Sequence, residues 1–156
     1  MIRRATNADL PRLLEIYESA RQFMRQNGNP TQWPDHYPDK ALLLEDIRAG
    51  QLYVLEDGLI HGCFLLAPGP DPTYAVIDGA WGWQDGYGVL HRVAGTQKGT
   101  LAQCVAFGLK TFSHLRIDTH EKNIPMQKAL ARQGFTHRGT IICEDGTPRL
   151  AYDLHK

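Results

Sequence analysis

The stretch GVLHRVAGTQKGTLAQCVAFGLK, residues 88–110, decides how the chain is read. Val89 to Ala94 forms a short apolar strand. Gly95-Thr96-Gln97-Lys98-Gly99 then turns the chain into an amphipathic helix. Leu101, Val105, Leu109 and Phe112 recur at i, i+4, i+8 and i+11, which is one helical face. Strand, glycine-containing turn and helix start together make a place for an anion. Unpaired backbone N–H groups and the positive end of the helix dipole both point at the turn. A glycine there lets a phosphate come close to the backbone. Any strand-to-helix connection with a glycine has the same layout, so a second signal is needed.

That signal follows the helix. Leu115 to His120 reads as a short strand, and Asn123-Ile124-Pro125-Met126 opens a second helix. Asn123 suits the N-cap and Pro125 the first turn. Gly134 suits the left-handed C-terminal position, with Phe135 packing back on the helix. The two motifs, in this order and over residues 91–135, resemble the GNAT superfamily of acyl-CoA-dependent N-acyltransferases. The resemblance extends over nearly the whole chain. It implies a GNAT-like acyl-CoA N-acyltransferase fold and transfer of an acetyl group from acetyl-CoA, as co-substrate, to an amine. It also implies that the turn and helix start at Lys98, Gly99, Thr100, Leu101 and Ala102 cradle the CoA pyrophosphate. The backbone near Val93 and Ala94 would then supply an N–H to the thioester oxygen. Asn123 and Met126, at the start of the next helix, would lie by the pantetheine, where two strands splay apart. The chain departs from the family at two positions. Leu101 stands where a small residue is expected, in a turn that is also short. Leu130 stands four residues before Gly134, where many members carry a tyrosine thought to protonate the departing thiolate.

With 156 residues, the chain suits a single domain over 1–156. Lys+Arg and Asp+Glu number 17 each, a balance that argues against a nucleic-acid or acidic-membrane binder. No apolar run approaches a membrane span, and Met1 to Thr6 lacks an apolar signal stretch. Cys63, Cys104 and Cys143 are odd in number and scattered, as expected for buried thiols of a reducing, cytoplasmic compartment. The seven His include no H-x-x-x-H or H-E-x-x-H spacing, so no metal is expected.

In chain order, Met1 to Arg4 reads as an edge strand and Thr6-x-x-Asp9 as a capping box. Leu10, Leu13, Leu14, Tyr17 and Met24 mark the inner face of a helix ended by Asn27-Gly28-Asn29-Pro30. An aromatic, proline-rich loop follows, and Asp39 caps a second helix through Ala49. In the superfamily these helices and their loop line the acceptor side. Residues 51–56 and 60–67 are interior strands joined at Asp57-Gly58, a hairpin turn. Residues 74–78 read as extended, 81–87 as a loop, and 135–143 with 149–154 as a final hairpin. The order β-α-α-β-β-β-α-β-α-β-β predicts an α/β (α+β) fold. Its central sheet is mixed, mostly antiparallel, and flanked by helices.

Acyl transfer to an amine needs a base, because a free alkylamine has a pKa near ~10.4 and attacks only when neutral. The thioester oxygen needs an N–H donor as it turns negative. No covalent enzyme intermediate is required, so no cysteine nucleophile is implied. The candidate bases are Asp78, His91, Asp118 and His120. His120 leads, since it ends a strand three residues before Asn123, and His91 follows. Trp33, Tyr37 and Tyr74, with Trp81 and Trp83, concentrate aromatic side chains in loops. An aromatic-walled pocket from Trp33, Tyr37 and Tyr74 suits an apolar or cationic amine, on a small molecule or a peptide. A homodimer is compatible with the sequence. The alternative is a catalytically weak acyl-CoA-binding sensor, favoured by Leu101 and Leu130. A nucleotide-phosphate module is disfavoured, because Lys98-Gly99-Thr100 reverses the P-loop order.

Overall fold

A computed structural model describes residues 1–156. Strand β1 (Ile2–Arg4) is followed by helices α1 (Leu10–Gln26) and α2 (Lys40–Arg48). The hairpin β2 (Leu52–Asp57) and β3 (Leu59–Pro68) comes next, then the two-residue strand β4 (Asp78–Gly79). The chain continues as β5 (Gly88–Gly95), α3 (Thr100–Gly108), β6 (His114–Thr119) and α4 (Ile124–Arg132). It closes with the hairpin β7 (Thr136–Ile142) and β8 (Pro148–His155). The strands form one eight-stranded sheet in the order β1-β2-β3-β5-β6-β8-β7-β4. Every neighbouring pair is antiparallel except β5 and β6.

The expected element order holds, with β4 as an addition. Residues 74–78 are not extended as expected. Asp71 caps a short 3-10 turn over Pro72–Tyr74, and only Asp78–Gly79 pairs, against Thr140 and Gly139. The three prolines around Asp71 remove N–H donors that a central strand would need.

Alternation along β2 and β3 divides their side chains between two cores, so helices cover both faces. Leu52, Val54 and Cys63 pack with Leu13, Ile16 and Tyr17 of α1 and Leu43 of α2. Leu55, Phe64 and Leu66 pack with Leu101, Cys104 and Val105 of α3 and Leu130 of α4. Local chemistry sets the helix ends. Thr6 and Asp9 form the capping box, and Arg3 reaches both oxygens of Asp9 at 2.8 and 3.0 Å. Asp39 accepts from the Leu42 N–H and Asn123 from the Met126 N–H. Gly134 is left-handed at φ +89, and the Phe135 N–H returns to the Leu130 carbonyl at 3.1 Å.

Two features of β5 position the site. Its pairing with β6 covers only Gly88↔Leu115 and Val89↔Arg116, so the strands part beyond that point. On the other side, Leu65 faces His91 and Cys63 faces Ala94, leaving Phe64 opposite both Arg92 and Val93. This is a β-bulge, and Arg92 takes a left-handed φ of +49 to make it. The Tyr17 hydroxyl, buried in the α1 core, donates to the Arg92 carbonyl at 2.8 Å and holds the bulge.

Past the bulge, α3 sits directly on the strand. A Cβ at Gly95 would stand 2.1 Å from Thr100 Oγ1 and 2.8 Å from Thr100 Cβ. Gly95→Ala should therefore push α3 off β5 and destabilise the protein by about 1–3 kcal/mol, the usual scale of overpacking. Urea unfolding would register this as a lower midpoint with an unchanged slope. An unchanged midpoint would mean that α3 shifts without cost.

Candidate active site

Two cavities meet where β5 and β6 part. Both are bordered by Met24 of α1, Val93 of β5, and Asn123 and Met126 at the start of α4. They differ in charge. The larger, about 830 Å³, is lined by the Gly95–Ala102 turn, α1 and α4. Its charged groups are Lys98 and Arg132, with no carboxylate. The smaller, about 670 Å³, carries Asp46, Asp71, Asp118, Glu144 and Asp145 against Arg92, Arg149 and His91.

The residues read from sequence as a cofactor cradle all border the larger cavity: Val93, Ala94, Lys98, Gly99, Thr100, Leu101, Ala102, Asn123 and Met126. Gly99 caps α3 at φ +86, and no atom lies within 4 Å of where its Cβ would stand. The turn therefore opens its backbone to the cavity. The helix ladder begins with the Gln103 N–H on the Gly99 carbonyl, 3.2 Å, so the N–H groups before it have no intrahelical partner. Thr100 braces the turn through Oγ1 to the Gln97 carbonyl, 3.0 Å. Leu101, the larger residue where a small one was expected, belongs to the α3 core with Val105 and Leu130. The residue is only 8% exposed. Leu130 is fully buried, so no acid occupies that position.

Four candidates border the smaller cavity: Trp33, Tyr37, His91 and Asp118. Trp33 packs edge-on against Tyr17 at 5.7 Å and tilts against Tyr37 at 6.2 Å. His91 lies between two carboxylates, with Nε2 3.0 Å from Asp71 Oδ2 and Nδ1 3.9 Å from Asp118 Oδ2. The hydrogen bond from His91 brings the Asp71 carboxyl down to about 2, with the Thr73 hydroxyl and N–H helping and burial opposing. Asp118 Oδ2 also accepts the Tyr74 hydroxyl at 2.7 Å.

Three candidates lie elsewhere. Tyr74 is 1% exposed and stands behind Asp118, with Trp81 at 5.1 Å, so it supports the wall rather than forming it. Burial, with Asp118 beside it, holds its hydroxyl protonated far above the usual range. Asp78 is exposed in β4, the strand at the sheet edge opposite β1, and borders neither cavity. His120 also borders neither cavity. Its Nδ1 accepts the Lys122 N–H at 3.0 Å, which puts the proton of the neutral ring on Nε2 and uses its basic lone pair. Burial, then Arg149, lowers its pKa.

Sequence reasoning missed Gln32, Asp71 and the Arg92–Asp46 pair. Gln32 Oε1 accepts from Asn123 Nδ2 at 3.0 Å and Asn29 Nδ2 at 2.9 Å, and the His120 N–H lies 3.4 Å away. It thus fastens the α1–α2 loop to the end of β6 and the cap of α4. Arg92 and Asp46 form an ion pair in which both side chains are close to nine-tenths buried. Burial raises the Asp46 carboxyl above its usual range and Arg92 opposes the rise. The aromatic loop was a legible signal for Gln32. Nothing in the local sequence distinguishes Asp71 from any turn aspartate. No group of three or more His, Cys, Asp or Glu is arranged to hold a metal ion. No helix is long and apolar enough to cross a membrane.

No protein-family model and no curated protein matches the sequence. Solved structures do match. A GNAT-family acetyltransferase from Streptococcus agalactiae is 30% identical, with a TM-score of 0.88 over 100% of this chain and 95% of that one. A ribosomal-protein-alanine N-acetyltransferase from Brucella melitensis shares the fold at 22% identity, with a TM-score of 0.63 over 100% and 99% of the two chains. A Salmonella typhimurium protein solved with its cofactor acetyl-CoA shares it at 17% identity, with a TM-score of 0.59 over 99% and 92%.

The His91–Asp71 contact has a measurable consequence. Asp71 falls from its ordinary 3.8 to about 2 on folding. A lowered carboxylate stabilises the fold above about pH 4, and that contribution fades as pH falls from about 4 to 2. In His91→Phe, carboxyl-carbon NMR should find Asp71 titrating back toward 3.8. A value still near 2 would assign the effect to Thr73.

Proposed function

The chain belongs to the GNAT family of acetyltransferases, and from that premise we propose that it transfers the acetyl group of acetyl-CoA to an amine of a small molecule or peptide. The observation that carries this reading is the meeting of two oppositely charged cavities at the gap between β5 and β6. A cationic cavity behind a helix start suits the CoA phosphates, and an anionic one suits an amine. The fold neighbour from Salmonella typhimurium, with its acetyl-CoA, supports that choice of acyl donor.

In this reading the pyrophosphate lies on the N–H groups of Lys98 to Ala102, with Lys98 and Arg132 adding charge. The pantetheine passes Asn123 and Met126 to the gap. There the thioester carbonyl oxygen receives a backbone N–H near Val93 and Ala94. The acceptor enters between Trp33, Tyr37 and His91.

His91 is the base. Its Nε2–H donates to Asp71, which leaves the Nδ1 lone pair facing Asp118 across 3.9 Å. Two acceptors facing each other call for a donor between them, and the N–H of the incoming amine is one. The amine reacts in its neutral form, with Asp118 accepting one N–H and orienting the nitrogen. Its lone pair attacks the thioester carbon, the N–C bond forms, and Nδ1 takes the proton that the nitrogen sheds. The tetrahedral oxyanion collapses, the C–S bond breaks, and CoA leaves as the thiolate. Leu130 is sealed in the core, so the thiolate departs without an acid at that position. Asp78 and His120 have weaker support as bases, since neither borders the cavity. The same Leu130 is the observation behind the second reading, a weakly catalytic acyl-CoA sensor.

Two measurements test the proposal. Gly99→Asp places a carboxylate against the phosphates, so calorimetric CoA affinity should fall at least about tenfold, about 1.4 kcal/mol. An unchanged affinity in the folded variant would move the anion site elsewhere. For the base, His91→Gln should lower kcat by about 10²-fold with CoA affinity little changed, while His120→Gln keeps kcat near that of the parent. The reverse pattern would return the role to His120.

A further inference from the structure

Resting on the acetyltransferase reading, we infer that the acceptor is a small amine with at least two positive charges, a di- or polyamine. Its reacting nitrogen lies between His91 and Asp118, and its second ammonium is held by the remaining carboxylate charge of the same cavity. The charge inventory carries this. Five carboxylates border the cavity against two guanidinium groups, an excess of three carboxylates.

Neither arginine is free to neutralise the excess. Arg92 is bound to Asp46. Arg149, only 6% exposed, donates to Thr147 Oγ1 at 2.6 Å, the Pro148 carbonyl at 2.9 Å and the Gln32 carbonyl at 3.3 Å. Its remaining approach is to Asp145, at 3.7 Å. That leaves Asp71, Asp118 and Glu144. Asp71 is engaged by His91 and Thr73, and Asp118 accepts a single hydroxyl, from Tyr74. Glu144 makes no ion pair and stands exposed at the β7–β8 turn, on the rim.

A monoamine would offset one of three charges. A peptide amino terminus brings one ammonium followed by amides that carry no charge. An alkyl diamine is dicationic at neutral pH, since each amine titrates near ~10.4 when isolated. Its methylene chain suits a wall of Trp33, Tyr37, Leu65 and Pro70, and its ammonium groups gain from the aromatic faces as well as the carboxylates. Field lines focused in a low-dielectric cleft make such a preference sensitive to salt.

The test compares 1,4-diaminobutane with 1-aminobutane, matched in chain length, on the CoA-saturated protein by calorimetry. Both are also assayed with acetyl-CoA as acyl acceptors, beside an alanine-ended peptide. The diamine should bind at least about tenfold tighter than the monoamine at low salt. That gap should shrink as salt is raised. In Glu144→Gln, whose exposed position leaves folding intact, the diamine preference should narrow several-fold at an unchanged melting temperature. Equal affinities for diamine and monoamine would overturn the inference, as would turnover of the peptide with the diamine neither bound nor acetylated. Acetyl transfer would stand in either case. Tight diamine binding without acetylation of any amine would keep the charge inference and overturn the acetyltransferase reading instead.

Discussion

The site depends on two parallel strands that stay together for only two residue pairs. Beyond Gly88↔Leu115 and Val89↔Arg116, β5 and β6 diverge while each keeps its antiparallel partner on the outer side. Divergence exposes the backbone edge of a central strand, which is normally costly because buried N–H and C=O groups need partners. Here the opened edge becomes the wall where the cationic and anionic cavities touch. A fully zipped pair would have closed the route between them.

The bulge at Arg92 and Val93 lies in β5 just past its last pair with β6, and α1 reaches over the sheet to hold the bulge. Tyr17 captures the carbonyl of Arg92, and the Arg92 side chain pairs with Asp46 of α2. A buried ion pair contributes little net stability, since desolvation offsets its attraction, but losing one partner would leave a costly lone charge. Its use here is geometric: together with the Tyr17 hydrogen bond it ties α2 and α1 to one residue of left-handed φ. Gln32 makes the corresponding tie for the intervening loop, reaching the α4 cap by one hydrogen bond. Both ends of the gap are thus set by side chains far apart in sequence.

The start of β5 is anchored as firmly. Arg116 of β6 lies between Trp81 and Tyr87, 4.1 and 3.9 Å from the ring centres, and donates to the Trp83 carbonyl at 3.0 Å. Asp153, fully enclosed, gathers His114, Arg138 and the Gly82 N–H at 2.7 to 3.0 Å. These contacts pin the 80–87 loop across β6 and β8, immediately before β5 begins at Gly88. They account for Trp81 and Trp83 as structural residues rather than parts of an acceptor wall.

The sequence by itself determined the elements and the glycine turn that borders the larger cavity. Hydrophobic period, Asp39 and Asn123 at helix starts, Gly134 at a helix end and the Gly95–Ala102 turn are local signals that act within a few residues. It also placed Trp33 and Tyr37 together on the loop between α1 and α2, both bordering the smaller cavity, and named His91 among the candidate bases. Tertiary structure alone decided which titratable groups face the cavity. His120 and His91 look alike along the chain. One spends its lone pair on a backbone N–H two residues away, and the other is flanked by Asp71 and Asp118, which lie 20 and 27 residues from it. Tyr74 passed from wall to support because Asp118 stands in front of it. Asp78 went to the far edge because a two-residue strand pairs with β7. The direction of a side chain depends on register, bulge and crossover, and those are fixed by contacts between segments that no local pattern encodes.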